Sequence, residues 1–209
     1  MKILKPNQID EAAKLLKEGK VIAFPTETVY GLGVVFDNKE AYESLVSVKK
    51  RPPEKPFTMM LADLDEVEKY AELNRVSNKL VSAFMPGQFT LITKAKPGLP
   101  SWCVSKSGNV GIRIADYDMI RDLIRKTGKP LLVPSANKSG EQPCKNAEEI
   151  AKVFGEEIAA AIDGKTISNV PSTIVLVEDK YTNIFREGAI KIEDIKKVVA
   201  EEESKWKSF

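Results

Sequence analysis

The sequence predicts an α/β fold in one domain, residues 1–209: a mixed sheet with helices on its faces. Three observations carry that expectation. Segments with apolar residues at helical spacing alternate with short unbroken apolar runs of strand length. Their order is irregular, with strands following strands in places, which argues against a strict βαβ repeat. With 209 residues, 43% hydrophobic and 30% charged, the chain is long enough to bury a core and too apolar for disorder. No repeat, low-complexity tract or linker divides it.

The elements follow in order. Asn7 is a cap for a helix whose stripe is Ile9, Ala12, Ala13, Leu15 and Leu16, ended by Gly19. Val21–Phe24 reads as a buried strand closed by Pro25, and Thr26–Gly33 as a loop rich in hydroxyls and glycine. A helix covers Lys39–Lys49, and Pro52-Pro53 stops it. Phe57–Leu61 is a strand, and Asp63 with Glu66 three residues on marks a capping box. A helix over Ser77–Met85 breaks at Pro86-Gly87. Strands at Phe89–Thr93 and Val110–Ala115 precede a helix at Met119–Thr127 that ends at Gly128. Leu131–Val133 is a strand running into the loop Pro134–Gly140, and Asn146 with Glu149 caps a helix ending near Phe154. Strands at Ala159–Asp163, Thr173–Val177 and Asn183–Arg186 and a helix at Glu193–Glu203 complete the order.

Several function classes drop out. The chain has no histidine, so imidazole acid–base catalysis, Ser-His-Asp triads and histidine-ligated metals are excluded. Its two cysteines, Cys103 and Cys144, form no C-x-x-C pair and no disulfide framework, which points to a reducing compartment. The longest uncharged stretch, Leu80–Thr93, is broken by Pro86-Gly87 and falls short of the ~20 apolar residues of a membrane span. The N-terminus has no apolar segment of a signal peptide, so a cytoplasmic protein is expected. Net charge is +2, so any site for a polyanion must be a local cluster.

Such a cluster exists at Lys49-Lys50-Arg51-Pro52-Pro53-Glu54-Lys55. Cations at a helix C-terminus favour the dipole, which is reason enough for a solvated helix end. The adjacent prolines add a second reading, because they hold the cations at fixed separations suited to neighbouring phosphates. Pro134-Ser135-Ala136-Asn137-Lys138-Ser139-Gly140 follows a strand, where ligands bind in open sheets, although its residues also suit an ordinary turn. Thr26–Gly33 lacks the spacing of either standard phosphate loop. Arg113 sits inside the apolar run Val110–Ile114, and a strand arginine must be exposed, paired or lining a cleft. Arg186 raises the same question. Together these features suggest a cleft for a small anionic molecule.

Five segments in this order resemble the YrdC family of L-threonylcarbamoyladenylate synthases: Pro25-Thr-Glu-Thr-Val-Tyr-Gly-Leu-Gly33, Lys49-x-Arg51-Pro52, Pro134-Ser-Ala-Asn-x-Ser-Gly140, Ser172-Thr-Ile-Val175 and Arg186-x-Gly-Ala-Ile190. The resemblance spans nearly the whole chain and looks like the short form without an extra C-terminal domain. It implies a twisted sheet around a large, positively lined cavity. It also implies condensation of L-threonine, bicarbonate and ATP to threonylcarbamoyl-AMP and pyrophosphate. Mg²⁺ would accompany the nucleotide without dedicated protein ligands. Partner proteins, a transfer complex acting on tRNA, would then place the threonylcarbamoyl group on an adenosine.

Matched by position, Lys49, Arg51, Ser135 and Asn137 correspond to the family's K-x-R…S-x-N catalytic set. Thr28, Arg113, Ser135 and Ser172 match the threonine side, and Lys49, Arg51, Lys55, Asn109, Asn137, Lys145 and Arg186 the ATP side. The chain departs from longer relatives at Met60, where they carry histidine, at Gln88 beside Gly87, and in Ile114-Ala-Asp-Tyr-Asp118 after Arg113. Two alternatives remain beside this reading. One is a non-catalytic RNA-binding module, for which +2 predicts only weak, salt-dependent affinity. The other is a carbamoyl-adenylate-forming sister domain of the same fold.

Overall fold

The computed structural model describes residues 1–51, 56–179 and 181–206. Ten strands form one mixed sheet: β1 (Lys2–Leu4), β2 (Ile22–Phe24), β3 (Gly31–Val35), β4 (Met59–Leu61), β5 (Phe89–Lys94), β6 (Asn109–Ile114), β7 (Leu131–Leu132), β8 (Ala160–Ile162), β9 (Thr173–Val177) and β10 (Thr182–Arg186). They lie in the order β1-β8-β2-β3-β7-β4-β6-β5-β9-β10. The pairs β1–β8, β2–β8, β4–β6 and β5–β9 are parallel. Helices α1 (Ile9–Lys17), α2 (Lys39–Lys49), α3 (Val67–Tyr70), α4 (Arg75–Phe84), α5 (Asp118–Thr127), α6 (Ala147–Phe154) and α7 (Ile192–Trp206) pack on both faces.

Strand alternation divides the apolar residues between two cores, because successive side chains point to opposite faces. Ala23, Met59, Leu61, Leu132 and Ala161 join a core with Leu45 of α2, Leu80 of α4, Ile150 of α6 and Ile195 of α7. Their neighbours Ile22, Phe24, Met60, Leu131, Ala160 and Ile162 join a second core with Ala12 and Leu16 of α1 and Leu123 of α5. Among the described residues this second core takes nothing from β5 or β9. There the same face carries Arg113, paired with Met60, and Thr90, paired with Ile174. Helices α1 and α5 therefore cover only half of that face, and the bare half floors a cavity.

Several elements differ from the sequence reading. The glycine-bearing end of Thr26–Gly33 is not loop but strand β3. Both glycines are packing necessities: a Cβ at Gly31 would lie 2.6 Å from Val133 Cγ1, and one at Gly33 2.5 Å from Phe24 Cε1. Strand β1 is too short to show alternation, and pairing with β8 creates it. Helix α1 starts behind Gln8, not Asn7, and the Gln8 side chain accepts from Lys5 N instead of capping the helix. After Asp63 a 3₁₀ turn, Leu64–Glu66, precedes α3. Glu66 accepts from Asp63 N as a capping box requires, while the Asp63 carboxylate binds Arg121 and Arg125.

Candidate active site

The site begins where α2 ends. Lys50 adopts a left-handed conformation (φ 50°), which turns the chain between Lys49 and Arg51. The loop after β7 closes this helix end: Ser139 N and Oγ donate to Lys49 O, and Lys138 Nζ donates to Val48 O. That loop is itself fixed by Leu32 N donating to Pro134 O at 2.9 Å and Ala136 N to Tyr30 O at 2.7 Å. Strand pairing thus brings Lys49 and Ser135, 86 positions apart in the chain, into contact.

Lys49 is 2% exposed. Its Nζ donates to Ser135 O (2.5 Å), Asn137 Oδ1 (2.7 Å) and Ser135 Oγ (3.3 Å). Burial, and next the Arg51 charge, pull its ammonium down to about 8. The Arg51 guanidinium lies 5.1 Å over the Phe57 ring and donates to Pro56 O, and burial lowers its pKa as well.

Across the cavity, Arg113 Nη2 donates to Glu27 Oε1 (2.7 Å) and Thr28 Oγ1 (2.9 Å). The strand arginine is thus both paired and cavity-lining. Glu27 is 3% exposed and Arg113 7%. A third arm comes from β10: Arg186 Nε and Nη2 both donate to Ser172 O, and the Ser172 hydroxyl lies 2.8 Å from Thr90 Oγ1. Burial, then repulsion from Arg113, lowers the Arg186 pKa.

These arms enclose a cavity of about 300 Å³ lined by Thr28, Arg51, Arg113, Ser135, Asn137, Ser172 and Arg186. Lys49 stands behind its wall, touching Ser135 and Asn137. Three guanidinium groups and a buried ammonium outnumber the carboxylates there, Glu141 in the lining and Glu27 beside it paired to Arg113, and make this an anion-binding hollow with hydroxyls as hydrogen-bonding partners.

Two expected residues are not brought there. Asn109 lies four residues from Arg113 on β6, roughly 13 Å along a strand. Its Nδ2 donates to Glu178 Oε1 in a separate cleft of about 990 Å³. Lys145 is exposed and does not line the cavity. Lys55 lies outside the described residues. Glu27 and Thr90 were missed as site residues. Glu27 stood inside Pro25–Gly33, and Thr90 alternated with Phe89 and Leu91 on the face opposite the core, which was the available signal for each. Among the described residues no group of three His, Cys, Asp or Glu side chains is arranged to hold a metal ion, and none of the described helices is long and apolar enough to cross a membrane.

A mixed sheet with helices on both faces and a cation-lined hollow over its uncovered half defines an α/β protein built to hold a small polyanion. Comparison with known proteins narrows the class: residues 14–188 match the Sua5/YciO/YrdC family model, described as "Telomere recombination", and the chain belongs to that family. It is 37% identical to threonylcarbamoyl-AMP synthase of Bacillus subtilis over 92% of this chain and 56% of the relative. It is 32% identical to threonylcarbamoyl-AMP synthase of Vibrio campbellii over 86% of this chain and 98% of the relative. The crystal structure of Pyrococcus abyssi Sua5 complexed with L-threonine superimposes with a TM-score of 0.91 at 30% identity, covering 96% of this chain and 62% of Sua5. This chain therefore spans little more than half of the B. subtilis relative and of Sua5. Escherichia coli YciO shares the fold, with a TM-score of 0.85 at 24% identity.

Proposed function

We propose that this chain is an L-threonylcarbamoyladenylate synthase. The observation that carries the reading is the convergence of Arg51, Ser135, Asn137, Arg113, Ser172 and Arg186 on one cavity, with Lys49 against its wall. Relatives along the chain's length are named threonylcarbamoyl-AMP synthase, and Sua5 of P. abyssi, of similar structure, was crystallised with L-threonine.

The chemistry suits a site without imidazole. The neutral amine of threonine attacks the carbon of bicarbonate, forming an N–C bond with loss of water. The resulting carbamate oxygen attacks the α-phosphorus of ATP, and the bond from that phosphorus to the bridging oxygen breaks, releasing pyrophosphate. Because the carbamate supplies its own nucleophilic oxygen, the protein's task is placement and stabilisation of charge on the phosphoryl centre and leaving group. Arg51 and Arg186 take the nucleotide side, with the nearby Lys49 charge in support. Arg113, Thr28, Ser135 and Ser172 take the amino acid. Mg²⁺ would arrive with the nucleotide, since among the described residues no group of three carboxylates or other metal-binding side chains is arranged to hold it. The product then passes to a transfer complex acting on tRNA in the cytoplasm, where RNA affinity of this chain itself is weak and salt-dependent.

The test is mass spectrometry of the product formed from ATP, bicarbonate and single amino acids. A threonine-dependent adduct of AMP with equimolar pyrophosphate is expected. Turnover only with carbamoyl phosphate, or none with threonine, would reject the proposal.

A further inference from the structure

Glu27 is the only buried carboxylate among the described residues, and the cation it meets is Arg113. Glu27 Oε1 and Thr28 Oγ1 both accept from Arg113 Nη2, so Nη1 keeps its protons for a ligand. Glu27 Oε1 also accepts from Asp116 N, while its buried Oε2 meets no donor among the described residues. One nitrogen of one guanidinium is thus the only cationic partner of this carboxylate, and burial keeps water from screening its charge.

The far end of the cavity is built differently. Thr90 pairs with Ile174 and Ile174 with Arg186, and the pairing of Leu91 with Ile112 sets Thr90 beside Arg113. The floor is therefore one cross-strand row of Met60, Arg113, Thr90, Ile174 and Arg186, with its two arginines three strand spacings apart, roughly 14 Å. Among the described residues Arg186 meets no carboxylate, and Ser172 O and Oγ take its protons. Glu141, the carboxylate in the lining, is exposed and screened by water. A neutral ion pair marks one end of the row and an uncompensated cation the other.

The neutral pair still offers the hydrogen bonds of Nη1, which suit a single carboxylate, above all that of a zwitterion whose ammonium offsets its charge. A phosphate carrying two or more charges is repelled by Glu27 across one guanidinium. We propose that Glu27 is a specificity-determining residue that reserves the Arg113 end of the cavity for the amino acid by excluding polyvalent phosphates from it. It thereby sets which way round the two substrates lie. This deepens the synthase reading above and rests on it.

Calorimetric titration of L-threonine, alone and in inorganic phosphate, tests it. The variant is Glu27→Gln, which keeps an oxygen for Arg113 Nη2 and Asp116 N and removes the charge, with circular dichroism to establish folding. Phosphate should leave the wild-type Kd for threonine within about twofold. At the same concentration it should raise the variant's Kd about tenfold or more, because a buried unit charge ~7 Å away is worth at least that factor at an effective dielectric near 20. If Glu27→Gln unfolds, the wild type decides: 3-hydroxybutyrate, which is threonine without its amine, should compete with threonine where phosphate does not. Competition by phosphate in the wild type, none by 3-hydroxybutyrate, or a folded variant that binds threonine and ignores phosphate, would overturn the proposal. Wild type that neither binds threonine nor turns it over would instead sink the synthase reading, which separates the two failures.

Discussion

Glu27 and Arg113 form an ion pair at 2.7 Å with side chains 4% and 8% exposed, joining the loop after β2 to the C-terminal end of β6. Glu27 Oε1 also accepts from Asp116 N at 3.2 Å, and the Glu27 carbonyl accepts from Ser168 N. The pair therefore ties together three segments at the cavity's edge. A buried pair of this kind offers little net stability over apolar packing, but removing one partner strands the other charge.

Glu27→Ala should accordingly destabilise the fold by about 3–5 kcal/mol. Urea denaturation measures it. A loss under 1 kcal/mol would show that water reaches Arg113 freely.

Lys49 predicts a pH-dependent stability. Its folded pKa, about 8, is below the ordinary 10.5, so between these values the unfolded chain binds more protons than the native one. Stability contributed by this group therefore rises with pH across that window, as the cost of burying an ammonium is relieved. Comparing the urea stability of wild type and Lys49→Met from pH 7 to 10 isolates the effect, which should vanish in the variant.

Gly31→Ala and Gly33→Ala should each cost roughly 1–3 kcal/mol by overpacking, read as a lowered thermal midpoint. Their effects on activity should differ. A Cβ at Gly31 meets Val133 and, at 3.5 Å, Pro134 O at the root of the Ser135 loop, whereas one at Gly33 meets Phe24 and Leu131. Gly31→Ala should raise KM for threonine, and Gly33→Ala should leave it near the wild-type value.

Arg51→Ala should lower kcat about 10²-fold, the usual loss for one transition-state donor. Steady-state pyrophosphate release measures it. Unchanged kcat with a raised KM for ATP would place Arg51 in ground-state binding alone.

Local pattern carried far into this molecule. Asn146 caps α6 as the sequence indicates, its side chain accepting from Glu149 N. Strand β9 runs from Thr173 to Val177 as read from its apolar run. Capping and alternation act between residues a few positions apart, and so the chain states them directly. What escaped were β1 and β3, whose existence depends on distant partners, and the place of Asn109, which the family pattern matches to the ATP side and which lies in a separate cleft.

By itself, the sequence determined the mixed α/β character, the absence of imidazole chemistry, and the segments from which cations and hydroxyls had to come. Tertiary structure alone decided that α1 and α5 leave half a sheet face bare, that Arg113 finds Glu27 across 86 positions, and that Lys49 meets Asn137. The reason is physical: each is a relation between groups that meet only after strands far apart in the chain have paired.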